Sequence, residues 1–247
     1  MVLLLGIKNI EMSFKDNLVL NHLNLEARSS DIIGLIGKSG CGKSTLLKIL
    51  VGYYKPQKGS IVLNDKNVSD SLIELRKITG YTSQENSFYE KLTVIENMRY
   101  YANLYNIPLK TREERIKSLL KQVGLFQHKN MLAEKISGGM KRRLDFAISL
   151  IHNPDILILD EPTAGLDPLL IDQFWEIVKE VVEKEKKIVI MSSHIISEIE
   201  KYCTKAAVMD NGKIKEVFQK KDMKNLEKKF RKIVSLKKGE TNQEIEK

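Results

Sequence analysis

The sequence has no apolar run long enough to cross a membrane. No window of 18 uninterrupted apolar residues occurs in the 247 residues, whereas a transmembrane helix needs about 20. The first apolar stretch, Met1 to Leu5, is broken by Gly6 and Lys8, and no small-residue cleavage site follows it. We therefore predict neither a membrane span nor a secretory signal. Any role at a membrane must come through a partner.

Cysteine is also scarce, with only Cys41 and Cys203. One possible pair in a chain of this length is not a disulfide framework, and no clustered histidines complete a zinc-site spacing. These absences exclude a disulfide-stapled secreted domain and a structural zinc module, and they favour a reducing cytoplasm.

Acidic residues are outnumbered, and the formal net charge is +9. A basic balance is compatible with a nucleic acid, an anionic membrane surface or an anionic ligand. Residues 220–247, however, contain ten Lys/Arg against five Asp/Glu, so much of the excess lies at one end. We interpret this stretch as a solvated lysine-rich tail, with a binding patch as the alternative.

The hydrophobic pattern predicts an α/β fold. Short alternating segments at the start are typical of antiparallel strands, and later apolar runs are typical of buried parallel strands. A helical pattern from Thr93 to about Leu150 interrupts the α/β pattern, which predicts an inserted helical subdomain. The predicted buried strands are 31–36, 156–160, 188–191 and 206–209, and a long helix is predicted over 169–185.

One glycine-rich turn matches the pattern G-x-x-x-x-G-K-[ST]. Its glycines let the backbone N–H groups surround a phosphate, and the following helix offers its positive N-terminus to the same anion. We expect Lys43 to reach the β- and γ-phosphates and Ser44 to bind Mg²⁺. Cys41 is either a thiol activated near a helix N-terminus or simply a small residue, and we favour the second. The residues predicted to bind the nucleotide here are Gly37, Lys38, Ser39, Gly40, Cys41, Gly42, Lys43, Ser44 and Thr45.

Two carboxylates, Asp160 and Glu161, follow the apolar run 156–159. In open α/β sheets, ligands bind beyond the carboxyl ends of the strands. We predict that Asp160 holds Mg²⁺ through water and that Glu161 polarises the attacking water.

Several further motifs occur in a fixed order. Ile136-Ser137-Gly138-Gly139-Met140 precedes a predicted helix and stands about 20 residues before the acid pair. With these motifs the chain resembles the ABC ATPase family, whose signature reads LSGGQ. The other matching residues are Phe14, Gln84, the stretch Ala164-Gly165-Leu166-Asp167 and His194.

The resemblance implies an ATPase with a P-loop (RecA-like) core, a small antiparallel β subdomain and an inserted helical subdomain. It places the ATPase domain at 1–218, the helical insert at about 86–150 and an extension at 219–247. It also implies ATP and Mg²⁺ as ligands, and a head-to-tail dimer with itself or a related subunit.

The resemblance also assigns roles to single residues. Lys43, Gln84, Glu161 and His194 would be catalytic, with Gln84 also at the metal. Phe14 would stack on adenine. Ser137, Gly138 and Gly139 would contact the partner's ATP, and Asp167 would lie at the dimer contact.

The stretch from Glu85 to Met98, with residues 100–105 and 139–144, is similar to the ATP-binding subunits of multidrug (daunorubicin-resistance-like) exporters. This implies a separate transmembrane permease and a cytoplasmic location on the inner face of the cell membrane. The alternative is a soluble ABC ATPase that acts on nucleic acid, on ribosomes or in cofactor assembly, and we expect no nucleic-acid partner. Phe88, Tyr89, Leu92, Tyr100 and Tyr101 either contact the permease or belong to the core.

Overall fold

The computed structural model describes residues 2–235, which form two sheets surrounded by helices. Its strands are β1 (Leu4–Phe14), β2 (Asn17–Arg28), β3 (Ile32–Ile36), β4 (Lys58–Leu63), β5 (Lys66–Asn67), β6 (Thr79–Thr82), β7 (Ile156–Asp160), β8 (Ile188–Ser192), β9 (Lys205–Asp210) and β10 (Lys213–Gln219). Its α-helices are α1 (Lys43–Leu50), α2 (Leu72–Ile78), α3 (Val94–Leu104), α4 (Leu109–Gln122), α5 (Gly138–Ser149), α6 (Pro168–Glu185), α7 (Ile196–Tyr202) and α8 (Leu226–Ser235).

The larger sheet has the order β10-β9-β3-β8-β7-β6. Its pairs from β9 to β6 are parallel, and β10 is an antiparallel edge strand. Every residue of β3 and β8 is buried, as expected for parallel strands covered on both faces. The smaller sheet, β2-β1-β4-β5, is antiparallel. These sheets confirm the predicted α/β class with a small antiparallel β portion.

Helices α3, α4 and α5 lie between β6 and β7 in the chain. Thr93 and Glu96 form a capping box at the start of α3, because the Thr93 hydroxyl accepts from the Glu96 N–H and the Glu96 carboxylate accepts from the Thr93 N–H. Pro108 is the N-cap residue of α4, which begins at Leu109. The limits of the helical subdomain, about 86 and 150, remain a prediction.

The basic C-terminal stretch is not a solvated tail in its first part. Residues 220–222 form a 3₁₀ turn and α8 follows, packed against α7. Met223 and Leu226 are at most 1% exposed, so the stretch adds apolar side chains to the core. The earlier interpretation is therefore wrong for residues 220–235, and its remainder, 236–247, lies outside the described residues.

None of the helices described between residues 2 and 235 combines the length and the apolar character needed to cross a membrane.

Candidate functional site

The glycine-rich loop 37–42 connects buried strand β3 to α1. Gly40 and Gly42 have φ of +77° and +104°, in the left-handed region that other residues rarely adopt. A Cβ on Gly42 would lie 2.7 Å from the Leu20 side chain and 3.0 Å from the Val19 carbonyl. Glycine is therefore required, and α1 begins without a side-chain cap on its first N–H groups.

Lys43 lies under this loop and is 7% exposed. Its Nζ donates to the Gly37 carbonyl at 2.7 Å and to the Lys38 carbonyl at 3.2 Å. The lysine thus holds a positive charge against the backbone that would surround a phosphate.

Two neighbouring cavities open at the loop. A cavity of about 160 Å³ contains the end of the loop, the start of α1 and two titratable side chains from other elements. A second, of about 390 Å³, extends towards the β1–β2 turn and the β9–β10 turn. The smaller is lined by Val19, Ser39, Gly40, Gly42, Lys43, Ser44, Thr45, Glu161, Ser192 and His194. The larger is lined by Asn17, Leu18, Val19, Lys38, Ser39, Gly40, Cys41, Asp210, Asn211, Gly212 and Val234.

Ser192 positions both predicted carboxylates. Asp160 and Ser192 are paired across β7 and β8, and the Ser192 hydroxyl donates to Asp160 Oδ1 at 2.5 Å. The Glu161 N–H donates to the same hydroxyl oxygen at 3.1 Å. Glu161 has φ of +50°, a conformation that costs a non-glycine residue about 1–2 kcal/mol. Such strain clusters at functional sites, and here it aims the Glu161 side chain into the smaller cavity.

His194 contacts Glu161 directly. Its Nε2 lies 2.8 Å from Glu161 Oε1, with the histidine side chain 56% and the glutamate side chain 22% exposed. The structure therefore brings Lys43, Ser44, Glu161 and His194 to one cavity. Their catalytic and binding roles remain predictions.

The oxygen donors of Ser44 and Asp160, beside the smaller cavity, are suited to Mg²⁺. Ser44 lines the cavity, and Asp160 ends the strand beside it. Within residues 2–235, no group of three or more His, Cys, Asp or Glu side chains could hold a metal alone. Mg²⁺ is commonly bound by one or two carboxylates together with substrate phosphates, so this donor set suits a magnesium ion that is bound together with a nucleotide.

Tyr81 lies next to Asp160. Burial, and then the Asp160 carboxylate, raises the pKa of Tyr81 to about 12, which keeps that phenol neutral.

Gln84 lines neither cavity, and its side chain is exposed. Its backbone carbonyl accepts from the Arg142 guanidinium of α5 at 2.7 Å. Phe14 also lines neither cavity. It is 39% exposed, and its ring meets Tyr54 edge-on at 5.2 Å between centroids. The roles predicted for these two residues stay predictions.

The signature residues lie at the start of α5, outside both cavities. The Ser137 hydroxyl caps the helix by accepting from the Met140 N–H at 3.3 Å. A Cβ on Gly138 would meet nothing within 4 Å, whereas one on Gly139 would lie 3.0 Å from the Leu170 side chain. Asp167 caps α6, because its Oδ1 accepts from the Leu170 N–H at 3.0 Å. The starts of α5 and α6 thus come together at Leu170, and neither Ser137–Gly139 nor Asp167 lines either cavity.

Cys41 does not have the environment of an activated thiol. It is 8% exposed, and burial raises its pKa. The redox alternative is therefore wrong, while the small-residue interpretation fits its tight contact with Gly37, where a Cβ would lie 2.4 Å from the Cys41 sulfur.

Ser192 and Val19 line the smaller cavity, although neither was predicted from the sequence to be a site residue. Ser192 stands two residues before His194 at the end of a buried strand, a position that could have suggested it. Val19 follows no recognisable pattern; it is far from the phosphate loop in the chain, and a Cβ on Gly42 would lie 3.0 Å from its carbonyl in the fold.

Comparison with known proteins identifies the family. The family model described as ABC transporter matches residues 20–164, more than half of the chain. The chain belongs to the ABC transporter family. It carries the ATP-binding ATPase domain of that family, which confirms the resemblance found in the sequence.

Two curated relatives and one solved structure show the extent of the likeness. The chain is 33% identical over 207 residues to the "Probable multidrug ABC transporter ATP-binding protein YbhF" of Escherichia coli (strain K12), covering 84% of this chain and 36% of the relative. It is 32% identical over 210 residues to the "Nod factor export ATP-binding protein I" of Cupriavidus pinatubonensis, covering 85% of this chain and 64% of the relative. The chain thus spans less than two thirds of either relative.

The solved structure is cbiO1 from Clostridium perfringens, described as part of the ABC transporter complex cbiONQ. It aligns with a TM-score of 0.83 and 26% identity, and the alignment covers 98% of both chains.

Proposed function

We propose that this chain energises a membrane exporter of the ABC type by hydrolysing ATP in a site shared between two ATPase subunits. One observation carries the proposal. The smaller cavity contains the phosphate loop, Glu161 and His194, yet the signature residues Ser137–Gly139, at the start of α5, line neither this cavity nor its larger neighbour. One chain therefore supplies two complementary halves of a site that it does not close by itself.

The first half, at the phosphate loop, would bind ATP and activate the attacking water. The loop N–H groups and Lys43 would hold the β- and γ-phosphates, while Ser44 and Asp160 would hold Mg²⁺, which neutralises charge on the transferred phosphoryl group. Glu161 is placed to accept a proton from the attacking water, and its contact with His194 fixes its carboxylate. The larger cavity adjoins the phosphate loop and is the place for the nucleoside.

The second half is the start of α5. Helix N-termini attract anions, and the open space around Gly138 lets a partner's γ-phosphate approach the backbone closely. Asp167 caps α6, whose Leu170 side chain lies close to Gly139, so these two helix starts would together carry the subunit contact. With this arrangement, the two chains would pair head to tail.

A permease would contact the aromatic surface of the helical insert. Tyr89 and Tyr100 are 49% and 41% exposed, and their rings pack edge-on at 4.8 Å. Phe88 is buried, and Tyr101 is half-buried with its hydroxyl donating to the Ser87 carbonyl, so these two belong to the packing of the insert. Among the five candidates from the sequence, Tyr89 and Tyr100 are those available to a partner.

The direction of transport rests on the relatives, whose names include a multidrug transporter and an export protein. With a permease as partner, the chain would lie on the cytoplasmic face of the membrane.

Light scattering tests the shared site. Glu161→Gln should retain ATP but hydrolyse it slowly, so at saturating ATP and Mg²⁺ we expect it to dimerise. The double variant Lys43→Ala/Glu161→Gln, which cannot hold the nucleotide, is the matched control and should stay monomeric. A monomeric Glu161→Gln protein under these conditions contradicts the shared site.

Co-purification tests the permease. The tagged chain would be recovered from its native cell in mild detergent, and its partners would be identified by mass spectrometry. We expect a multi-spanning membrane protein in stoichiometric amount, and its loss in Tyr100→Ala but not in Leu109→Ala, an exposed control on the same insert. Ribosomal proteins or nucleic acid in its place would support the soluble class instead.

A further inference from the structure

The segment that carries Gln84 leaves the core sheet abruptly. Thr82 is fully buried and pairs with Leu159 in the sheet. From Ser83 to Tyr89, the side chains that bond the segment's backbone from elsewhere in residues 2–235 come from α3 and α5. The segment is therefore tied to the helical insert rather than to the sheet it follows.

Arg142 of α5 makes the first of these ties. One guanidinium nitrogen, Nη1, donates to the Ser83 carbonyl at 3.0 Å, and the other, Nη2, donates to the Gln84 carbonyl at 2.7 Å. The side chain is only 9% exposed. The guanidinium group is planar and charged, and it binds two successive carbonyl groups. It therefore fixes the direction of the backbone between Ser83 and Gln84.

Asp145 makes the second tie from the same face of α5, three residues further on. Its Oδ1 accepts from the Ser87 N–H at 2.9 Å and from the Ser87 hydroxyl at 2.6 Å. The residue is fully buried, and within residues 2–235 its Oδ2 has no hydrogen-bond partner. Burying a carboxyl group costs free energy unless it is hydrogen-bonded. Breaking the two bonds from Ser87 would leave Asp145 buried without a partner for Oδ1, so these bonds hold Ser87 in place.

We propose that Arg142 and Asp145 are positioning residues that lock the Gln84 segment onto α5, so that Gln84 and the Ser137–Gly139 end of the helix move as one body. Because α5 is a continuous helix of 12 residues, a displacement at its first turn reaches Arg142 and Asp145 without a hinge. In its functional part the inference rests on the proposed function. If the proposed function holds, ATP bound to the partner chain would contact Ser137–Gly139 and shift α5. That shift would also move Gln84 to the Mg²⁺ bound in this chain's own site.

Arg143 provides a matched control on the same helix. Arg143 is half-buried whereas Arg142 is buried, and the Arg143 Nη1 donates to the Val123 carbonyl at 3.2 Å, with no hydrogen bond to the Gln84 segment. A purely structural role for α5 arginines would affect both positions alike.

Hydrogen–deuterium exchange on the full chain tests the lock without needing activity. We expect Arg142→Ala to raise amide exchange over residues 83–89 at least about tenfold, because two charge-assisted hydrogen bonds are lost. Arg143→Ala should leave that segment unchanged. Equal exchange in Arg142→Ala and the wild type, or an equal rise in Arg143→Ala, overturns the proposal.

Ser87→Ala keeps the test decisive if Arg142→Ala does not fold. It removes a single donor to Asp145 from an exposed residue, and we expect exchange near residue 87 to rise about threefold. An unchanged rate there contradicts the lock.

Steady-state hydrolysis tests the coupling. Arg142→Ala should lower kcat about tenfold, leave the half-saturating ATP concentration within about twofold, and bring the Hill coefficient for ATP towards one. A raised exchange rate with unchanged kcat and Hill coefficient overturns the coupling. Should the wild-type chain not hydrolyse ATP at all, the proposed function fails, while the exchange experiment still decides the lock.

Discussion

The Nε2 atom of His194 lies 2.8 Å from Oε1 of Glu161, so the histidine is in direct contact with the carboxylate that we predict to be the general base. The pair lies at the ends of neighbouring strands β7 and β8, beside the phosphate loop.

We expect Glu161→Gln to bind ATP with nearly normal affinity and to hydrolyse it at least ~100-fold more slowly, because an amide cannot accept the proton of the attacking water. Phosphate release and nucleotide binding would be measured on the same preparation. Glu176→Gln, an exposed position on α6, is the control and should behave as the wild type. Near-normal turnover in Glu161→Gln rules out this residue as the base.

His194→Ala should also slow hydrolysis, by about 10-fold or more, since it releases the Glu161 carboxylate from its fixed orientation. Two residues in direct contact are not independent, so the double variant His194→Ala/Glu161→Gln should be about as slow as Glu161→Gln alone. A double-mutant cycle on kcat measures this coupling. Additive losses would show that the contact has no part in the reaction.

Lys43→Ala should weaken ATP binding at least ~100-fold, because the ammonium group provides charge-assisted hydrogen bonds to phosphate oxygens. Lys48→Ala removes a lysine one turn later in α1 and should leave ATP affinity unchanged. Fluorescence titration with a labelled ATP analogue makes the comparison. Equal affinities of the two variants would refute the assignment of the phosphate loop.

The phosphate loop was predictable from the sequence because its chemistry is local. Gly40 and Gly42 are needed for their own backbone angles, and Lys43 and Ser44 follow at a fixed spacing. The strand before it and the helix after it were equally predictable from apolar runs and helical periodicity.

Residues brought together by strand pairing were not predictable in the same way. Ser192 holds Asp160 only because β7 and β8 pair in a register that aligns these two positions. The positive φ of Glu161 also depends on its hydrogen bonds to Ser192. No spacing within the chain specifies such a contact.

The error over α8 has a different physical cause. The net charge of residues 220–247 does not reveal the helical spacing of their apolar side chains. Those side chains pack on the core, while most of the lysines are exposed. They are Leu226, Phe230, Ile233 and Val234. Charge composition alone cannot distinguish a solvated tail from an amphipathic helix; the apolar period can.

His152 should make the fold sensitive to mild acid. Its ring stacks on Tyr105 at 3.9 Å between centroids, and Nε2 lies 3.0 Å from the Thr79 carbonyl. Burial lowers the pKa of His152 to about 4, below its ordinary value of 6.5. As pH falls from 6.5 towards 4, the unfolded chain binds a proton that the folded chain does not, so stability decreases in that window.

Chemical denaturation at pH 7 and pH 5 measures this loss. We expect the wild type to lose about 1–2 kcal/mol more than His152→Gln between the two pH values, because glutamine can still donate to the Thr79 carbonyl but takes up no proton. His128→Gln controls for removal of a histidine from a different part of the chain and should lose as much stability as the wild type. An identical loss in the wild type and His152→Gln would show that other groups cause the acid sensitivity.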